Sequence, residues 1–343
     1  MKRTNILLSL ILICTFPLFS QSVKQLLVLD NYLIPENKKG AVIGKVISQT
    51  NNKVKLIKDT SNLFTIDNKG VLKLKKGATI TSNSAYKYEI TLKYGNDEKS
   101  FELVKDNFIR NGVVAHRGAW KHHDASQNSL KSLKKAIEIG CAGSEFDVWL
   151  SSDNAVVLSH DPTIGGKTVE ETTASELYSV ALKDGDYVPN LEQYINCIKK
   201  QNRTRLVLEV KTSQKGTERS EAVADSSVQI VHRLKAQGWT DYITFSFEAA
   251  LRIRELDPTA QVLYLSNDKK TLEELKAAKI SGIDYHYSSF FKDEELANKA
   301  RKMGLLTNAW TVNKKEDMKK IIGQKLDFIT TDEPEILLDL LKE

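Results

Sequence analysis

Residues from Asp106 to the C-terminus alternate between short apolar strands and helical segments, and this alternation leaves few folds open to the chain. Segments long enough to form a helix separate most of the strands, so successive strands are expected to run parallel in one sheet. Eight such units close into a (β/α)₈ barrel. We therefore predict an α/β fold, a TIM (β/α)₈ barrel, over residues 110–343.

The elements of the barrel follow from apolar runs and from apolar residues at helical spacing. Strands are predicted at Gly112–His116, Ser144–Trp149, Ala155–Ser159, Arg205–Lys211, Tyr242–Phe247, Gln261–Ser266, Ile283–Tyr287, Leu305–Val312 and Asp327–Thr330. Helices are predicted at Ser129–Ile139, Glu218–Gln237, Thr271–Lys279, Glu294–Met303 and Glu316–Gly323.

One strand and one longer segment depart from this repeat. Ala155–Ser159 closely follows the turn-forming pair Asp153-Asn154, so we interpret it as a hairpin extension of the second strand. Residues 162–190 then interrupt the alternation. We predict that they form a small insertion over one mouth of the barrel.

The region before the barrel, residues 22–105, shows only the pattern of short strands. Turn-forming residues such as Asn51-Asn52 and Gly95-Asn96-Asp97 separate runs of β-branched or alternating apolar residues. A region of this kind predicts a small all-β sandwich domain. Its strands are predicted at Leu27–Leu29, Ala41–Ile47, Val54–Ile57, Val71–Leu74, Tyr86–Tyr94 and Phe101–Val104.

Residues 1–20 have the pattern of a signal peptide. A basic head, Met1-Lys2-Arg3, precedes the apolar run Ile6–Phe19, which is too short to span a bilayer comfortably. Small Ser20 suits cleavage, so we expect an exported protein, periplasmic or secreted, with no stable membrane span after cleavage. A buried strand or an uncleaved anchor is the alternative. A lipoprotein through Cys14 is less favoured, because Ile13 is bulky.

The composition excludes some partners. Apolar residues make up 41% and charged residues 27%, which is typical of a globular protein. The net charge of +6 is small and its basic residues are interspersed with acids, so no nucleic-acid partner is expected. The two cysteines beyond the signal peptide, Cys141 and Cys197, lie among apolar residues and are interpreted as packing residues.

Polar residues gather where predicted barrel strands end, which is where barrel enzymes build their active sites. Residues two apart on a strand point to the same side, so Glu145 faces the same way as Asp147, and Glu209 the same way as Lys211. If that side is the barrel interior, seven polar side chains converge at one mouth. They are His116, Arg117, Glu145, Asp147, His160, Glu209 and Lys211.

These residue types together describe the cleavage of a phosphodiester. Three carboxylates without a cysteine partner favour a hard divalent cation, Mg²⁺ or Ca²⁺. Arg117 and Lys211 are donors suited to phosphate oxygens. Histidine is the side chain best suited to proton transfer at neutral pH, so His116 and His160 can divide the acid and base roles. Each residue alone also has a structural explanation, such as a lumen ion pair or a hydrogen-bonded histidine.

The ordered motifs resemble those of the glycerophosphodiester phosphodiesterases over residues 112–340. The matching segments are His116-Arg117-Gly118, Asn128-Ser129, Glu145-Phe146-Asp147-Val148, Val157-Leu158-Ser159-His160-Asp161, Leu208-Glu209-Val210-Lys211, Trp310-Thr311-Val312-Asn313 and Asp327-Phe328-Ile329-Thr330-Thr331-Asp332. That family has a TIM barrel with a small insertion after strand 2. The resemblance implies that Glu145, Asp147 and Glu209 bind a divalent metal. It also implies that His116 and His160 are the acid–base pair and that Arg117 and Lys211 hold the phosphate.

Two further points concern this resemblance. Trp310 is expected to form an aromatic wall of the substrate cleft, with barrel packing as the alternative. Gln127 stands where family members usually have an acid, which puts the hydrogen bonding near the site in doubt.

The N-terminal region resembles a cadherin-like domain through Pro35-Glu36-Asn37 and Phe64-Thr65-Ile66-Asp67. It lacks the acids that would complete calcium sites, and no tight calcium binding is expected there.

The implied reaction is hydrolysis of a small-molecule glycerophosphodiester to glycerol phosphate and an alcohol. Water or a neighbouring substrate hydroxyl can serve as the nucleophile, and the sequence does not choose between them. Two alternatives remain at this point: a phosphoinositide-type phospholipase on the same barrel, and a non-catalytic envelope-binding protein whose sandwich, with an unknown partner, carries the function.

Overall fold

The computed structural model describes residues 26–48, 53–266 and 269–343. The predicted signal peptide, residues 1–20, lies outside the described residues. Within the described ranges, no helix is long and apolar enough to cross a membrane.

The N-terminal region folds into two four-stranded sheets. Its strands are β1 (Leu27–Leu29), β2 (Leu33–Ile34), β3 (Val42–Ser48), β4 (Val54–Asp59), β5 (Phe64–Ile66), β6 (Val71–Leu74), β7 (Lys87–Tyr94) and β8 (Asp97–Lys105). One sheet has the order β1-β3-β6-β5 and the other β2-β8-β7-β4. All the pairs are antiparallel except that of β2 with β8.

The two sheets bury a shared apolar core. Phe64 and Leu72 contribute from one sheet, and Ile90 and Phe101 contribute from the other, each with at most 1% of its surface exposed. On β6, the buried Leu72 and Leu74 alternate with the partly buried Val71 and Lys73, as expected of a strand with one buried face. The predicted β-sandwich is confirmed.

The C-terminal region is a closed barrel of eight parallel strands. These are β9 (Val113–Ala115), β10 (Gly143–Leu150), β14 (Arg205–Val210), β15 (Thr240–Thr244), β16 (Val262–Tyr264), β17 (Gly282–His286), β18 (Leu306–Trp310) and β19 (Phe328–Thr331). β9 pairs in parallel with both β10 and β19, which closes the sheet. The predicted (β/α)₈ barrel is confirmed.

Helices surround the barrel and carry ordinary start signals. They are α1 (Leu130–Ile139), α3 (Leu191–Ile198), α4 (Thr217–Arg233), α5 (Phe247–Leu256), α6 (Leu272–Ala277), α7 (Tyr287–Lys292), α8 (Leu296–Lys302), α9 (Lys315–Gly323) and α10 (Pro334–Leu340). The Ser129 hydroxyl caps α1, and Asn190 begins α3 with a capping box. The caps fix the points at which strand-end loops turn back into helices.

The predicted strand Tyr242–Phe247 differs from the structure at its end. β15 ends at Thr244, and α5 begins at Phe247. The reason is the Ser246 hydroxyl, which accepts a hydrogen bond from the Ala249 amide and starts the helix. An apolar residue after the cap made the strand look longer than it is.

The predicted hairpin and insertion follow the second barrel strand. β11 (Val156–Leu158) pairs antiparallel with β10. The short strands β12 (Thr163–Ile164) and β13 (Lys167–Thr168), a 3₁₀ turn and α2 (Ala174–Tyr178) then pack around a small core of their own. The Ser126 amide donates a hydrogen bond to Asp184 Oδ2, which joins the insertion to the loop after β9.

The barrel wall separates two apolar clusters. Side chains such as Leu208, Ile283 and Tyr285 point outward into the core beneath the helices. Side chains of the opposite parity, such as Ile243 and Leu263, form a second cluster inside the barrel. Glu145 and Glu209 are chain neighbours of residues that point outward. Because side chains alternate along a strand, both glutamates face the interior of the barrel.

The sandwich packs against the end of the barrel at which the strands begin. Gly238, just before β15, lies so close to the sandwich that an added Cβ would be 2.9 Å from a Val104 methyl group. The Tyr86 hydroxyl donates to the Lys199 carbonyl oxygen, and Asn202 donates to the carbonyl oxygen of Lys105. The contacts between the domains therefore lie at the opposite end from the carboxyl ends of the strands.

We predict that Gly238→Leu destabilises the protein by about 1–3 kcal/mol, because the larger side chain overpacks the contact with Val104 and Tyr32. The measurement is chemical denaturation of the full chain. Turnover per folded molecule should stay unchanged, since the carboxyl ends of the strands, where the polar residues are predicted to converge, lie at the far end of the barrel. Gly323→Leu is the matched control, because no atom lies within 4 Å of an added Cβ there. Equal stability of the two variants would contradict a close domain contact.

Candidate active site

Three acids converge at the mouth of the barrel formed by the carboxyl ends of the strands. Glu145 and Asp147 lie on β10, and Glu209 lies opposite Asp147 on the neighbouring strand β14. One carboxylate oxygen from each lies within 4.8 Å of the other two. The predicted convergence of these acids is confirmed, and the group can hold a metal ion.

Burial makes this cluster electrostatically costly. Loss of hydration raises the pKa of Glu145 well above its ordinary value, and Asp147 and Glu209 raise it further. Burial and Asp147 also raise the pKa of Glu209 to about 8. The pKa of Asp147 is lowered: burial alone would raise it, but Lys211 and His160 outweigh burial. The cluster therefore needs positive charge.

The acids fit a hard divalent cation. All three supply oxygen ligands, which Mg²⁺ and Ca²⁺ prefer. The Arg117 amide donates to Glu145 Oε2 over 2.8 Å, and this bond fixes the carboxylate. Glu145 Oε1 is buried and has no hydrogen-bond partner among the described residues. A buried acceptor without a donor is costly unless a ligand completes it.

His116 follows β9 and is held by a chain of hydrogen bonds. Its Nδ1 lies 2.7 Å from Asp332 Oδ1, and Asp332 Oδ2 accepts a hydrogen bond from Asn313. His116 Nε2 lies 4.0 Å from Glu145 Oε2. The carboxylate of Asp332 therefore orients the ring so that Nε2 faces the acid cluster.

His160 follows the hairpin strand β11. Its Nδ1 lies 2.7 Å from Asp161 Oδ1, so a carboxylate also orients this ring. Partial burial lowers the pKa of His160, although Asp147 opposes the shift. Burial therefore favours the neutral ring, which is the form that accepts a proton.

Two cations complete the charged part of the mouth. Lys211 Nζ lies 3.1 Å from Asp147 Oδ1 and 2.8 Å from Glu209 Oε1. Arg117 donates from Nη1 to Gln127 Oε1 over 2.7 Å. Gln127, the departure noted in the sequence, thus holds the guanidinium through a neutral oxygen. Arg117 Nε also lies 3.8 Å from Asp147 Oδ2, so the guanidinium adds positive charge beside the acids.

The backbone around Arg117 is in a constrained conformation. Arg117 has a φ of +59°, in the left-handed region that non-glycine residues seldom adopt. Gly118 follows with a φ of +80°, and a Cβ there would lie 2.4 Å from the Ser132 hydroxyl oxygen. Only glycine fits this turn, which directs the Arg117 amide at Glu145.

The structure adds residues to which the sequence analysis assigned no role. Asn128 donates from Nδ2 to Asp147 Oδ2 over 3.0 Å, and its Oδ1 accepts the Asp147 amide over 3.2 Å. Asp332 and Asn313 orient His116. All three residues stand inside the quoted motifs. Asn313 and Asp332 closely follow β18 and β19, and Asn128 lies just before α1. These motif positions are the signal that could have identified them.

Trp310 lies at the same mouth, on the side away from the acids. Its ring meets Phe245 edge-on, with centroids 5.6 Å apart, and belongs to the apolar cluster inside the barrel. Its Nε1 donates to the carbonyl oxygen of Asp284 over 3.0 Å. The geometry agrees with an aromatic wall at the cleft, and Trp310 also packs against the interior.

The arrangement as a whole suits cleavage of a phosphodiester. A buried trio of carboxylates, two histidines oriented by carboxylates, and two cations surround one space at the barrel mouth. A cation at the acids and the two basic side chains would bind phosphate oxygens. The two histidines would then stand where protons are exchanged.

Comparison with family models supports the same chemistry. Residues 116–336, well over half of the chain, match the model of the glycerophosphoryl diester phosphodiesterase family. The matched range contains every residue of the charged cluster. The sandwich lies outside it.

Individual relatives match the same part of the chain. A glycerophosphodiester phosphodiesterase from Caldanaerobacter subterraneus is 25% identical over 244 residues, covering 67% of this chain and 98% of that protein. A crystal structure of a glycerophosphodiester phosphodiesterase from Parabacteroides distasonis has a TM-score of 0.65 and 40% identity. The match covers 69% of this chain and 98% of the chain in that structure. One from Thermotoga maritima has a TM-score of 0.54 and 25% identity, over 67% of this chain and 97% of its own.

We predict that Asn128→Ala destabilises the protein by about 1–3 kcal/mol more than Asn37→Ala does. The change leaves the buried Asp147 without two hydrogen bonds. Asn37 is the matched control because it has a similar positive φ, 56° against 57°, but an exposed side chain. Denaturant titration of both variants measures the difference. Equal losses would mean that only the backbone conformation matters at Asn128.

Proposed function

Because this chain belongs to the glycerophosphoryl diester phosphodiesterase family and is a glycerophosphodiester phosphodiesterase, we propose that it hydrolyses glycerophosphodiesters with a divalent cation and two histidines. The products are glycerol phosphate and an alcohol. The observation that carries this proposal is the buried trio Glu145, Asp147 and Glu209 at a mouth that also holds His116 and His160. No purely structural role accounts for all five groups at one point.

Binding of the substrate begins with its phosphate. Arg117 and Lys211 present positive donors toward the space above the acids, and a phosphate there would be bound on two sides. The Gln127 bond holds the Arg117 guanidinium in place before the substrate arrives. Lys211 is itself held by Asp147 and Glu209, so its position is also set in advance.

The metal would be held by Glu145, Asp147 and Glu209, as Mg²⁺ or Ca²⁺. When bound, a divalent cation supplies charge that polarises phosphoryl oxygens and offsets the developing negative charge. It would also relieve the repulsion among the three carboxylates. Asn128 keeps Asp147 oriented for this role through two hydrogen bonds.

The two histidines then move the protons. One takes a proton from the attacking oxygen, and the other gives a proton to the oxygen of the leaving alcohol as the phosphorus–oxygen bond breaks. His160, with its lowered pKa, is neutral and suited to the base role. His116 is oriented through Nδ1 by Asp332, so Nε2 is the nitrogen that exchanges protons.

The attacking oxygen is that of water or of a neighbouring substrate hydroxyl. Attack by the hydroxyl would give a cyclic phosphate before glycerol phosphate. Purified protein assayed with a panel of glycerophosphodiesters and Mg²⁺ or Ca²⁺, with ³¹P NMR of the products, tests the reaction and separates these routes. The proposal would be overturned if the protein cleaved none of the diesters in the panel.

We also propose that the chain is exported through residues 1–20 and that residues 110–343 form the catalytic unit, with residues 22–105 a separate sandwich. The described contacts of the candidate site support this division, since they all lie beyond residue 115. Fractionation of cells that express the full chain, with sequencing of the mature N-terminus, tests export and cleavage near Ser20.

We expect His116→Ala and His160→Ala each to slow turnover by roughly 10² to 10⁴, the usual contribution of a positioned acid or base. Both variants should keep their affinity for metal, because the carboxylates are untouched. His232→Ala is the control: this histidine also pairs with an aspartate, Asp257, but it lies on α4. Near-normal turnover in both test variants would refute the acid–base assignment. Loss of metal binding in either variant would mean that the substituted histidine is a metal ligand.

We expect stabilisation by Mg²⁺ or Ca²⁺ to grow as the pH rises from about 6 to 8. Glu145 and Glu209 have raised pKa values, so the metal-free fold retains protons that the unfolded chain releases. The metal-free fold therefore loses stability as the pH rises toward about 8, and a cation that replaces those protons restores it. Thermal unfolding with and without metal measures the effect.

Glu209→Gln is the matched variant for this experiment. It removes the charge of the group whose pKa is about 8 and should flatten the dependence on pH. A metal-induced shift in Tm that shrinks as the pH rises would contradict binding at these acids.

A further inference from the structure

The rim of the barrel mouth is divided into two chemically different halves. Residues at the ends of β9, β10, β14 and β19 carry the charged groups, which include His116, Lys211 and Asp332. At the ends of β15, β17 and β18, the corresponding positions hold Phe245, His286 and Trp310. The phosphate chemistry thus occupies one half, and the second half faces it across the mouth.

His286 is the polar residue of the aromatic half. Ile283 and Tyr285 point outward into the core beneath the helices, so Asp284 and His286 on the same strand face the interior of the barrel. His286 lies opposite Trp310 in the strand register, and the two rings are 5.4 Å apart, nearly perpendicular. The imidazole therefore forms part of the same wall as Trp310.

The hydrogen bonds of His286 determine which nitrogen is free. Its Nδ1 accepts the Ser288 amide at the start of α7, with the Ser288 hydroxyl at 2.8 Å from the same atom. Partial burial and the nearby Lys292 lower the pKa of His286, so the ring is neutral. A neutral ring that accepts at Nδ1 carries its proton on Nε2. The side chain offers one N–H donor at an exposed edge of the rim.

We propose that His286 binds the terminal hydroxyl of the substrate's glycerol, the hydroxyl farthest from the phosphate, by donating a hydrogen bond from Nε2. This inference rests on the proposed function. The aromatic faces of Trp310 and Phe245 would cover the glycerol carbons, and His286 recognises the hydroxyl at their end. His286 is thus a residue that determines specificity for glycerol.

The chemistry of this half favours a neutral polyol over a cationic alcohol. Lys292 contributes positive charge near His286 and would repel an ammonium group. The terminal hydroxyl of glycerol is three carbons along the chain, so it is the hydroxyl that would extend from a phosphate on the charged half toward a donor on the aromatic half. A site built to bond a hydroxyl discriminates against an analogue that lacks it.

The test uses two diesters with the same leaving alcohol, p-nitrophenol. One carries glycerol and the other carries propane-1,2-diol, which lacks only the terminal hydroxyl. Both keep the hydroxyl next to the phosphate, so the comparison is independent of which nucleophile attacks. The ratio of their kcat/KM values measures recognition of the terminal hydroxyl.

Two conservative variants separate recognition from helix capping. His286→Gln keeps a donor near the position of Nε2 and loses the Nδ1 acceptor. His286→Asn keeps the acceptor for Ser288 and loses the outer donor. Ser288→Ala is the control for the hydroxyl beside Nδ1. All three variants are assayed on both diesters.

The wild-type protein should prefer the glycerol diester by about tenfold, the usual effect of one hydrogen bond. His286→Asn should abolish this preference by slowing only the glycerol diester, and His286→Gln and Ser288→Ala should retain it. A wild-type ratio near one, or a preference lost in His286→Gln and kept in His286→Asn, would overturn the inference about His286 alone. Cleavage of neither diester by the wild-type protein would overturn the proposed function together with it.

Discussion

The burial of three carboxylates at one mouth of the barrel is the constraint on which the rest of the site depends. Glu145, Asp147 and Glu209 would repel one another and lose their hydration unless positive charge and donors surrounded them. Lys211 supplies the charge, and the Arg117 amide supplies a donor through a strained left-handed turn. The residues proposed to bind phosphate are thus the same residues that stabilise the acid cluster. The proposed function therefore couples the stability of this mouth to substrate binding.

The alternation of side chains along the barrel strands allows this polar cluster to exist in a stable fold. The outward face of the wall packs under the helices in one continuous apolar core, and Leu208 and Tyr285 belong to it. The inner face is free to change from an apolar cluster below to charged groups at the mouth. The sandwich is attached at the other end, through Gly238 and Tyr86, where it buries apolar surface without approaching the acids. The contact with the sandwich and the acid cluster therefore lie at opposite ends of the barrel.

Most of the fold and the charged cluster could be predicted from the sequence, because both depend on local periodicity. Apolar runs and apolar residues at helical spacing located the barrel elements. The alternation of side chains along a strand then placed Glu145 with Asp147 and Glu209 with Lys211. The predicted end of β15 was wrong because a serine that caps a helix, as Ser246 does, looks the same in the sequence as a polar residue within a strand. The contact of His116 with Asp332 joins residues at opposite ends of the barrel sequence. No local pattern specifies such a pair; only closure of the barrel by β9 and β19 brings them together.

The division of the rim also explains why motifs describe the chemistry better than the specificity. The charged groups come mostly from β9, β10 and β14, whose residues must satisfy one another's charges and hydrogen bonds at fixed spacing. Phe245 directly follows β15 and His286 ends β17, and both lie outside the quoted motifs. Both rings pack against Trp310 and not against the acids. A substitution there would change the shape and the donors offered to the glycerol of the substrate without disturbing the buried charges. In this barrel, the half of the rim with the weaker sequence signal is therefore the half in which substrate preference can vary at little cost to the fold.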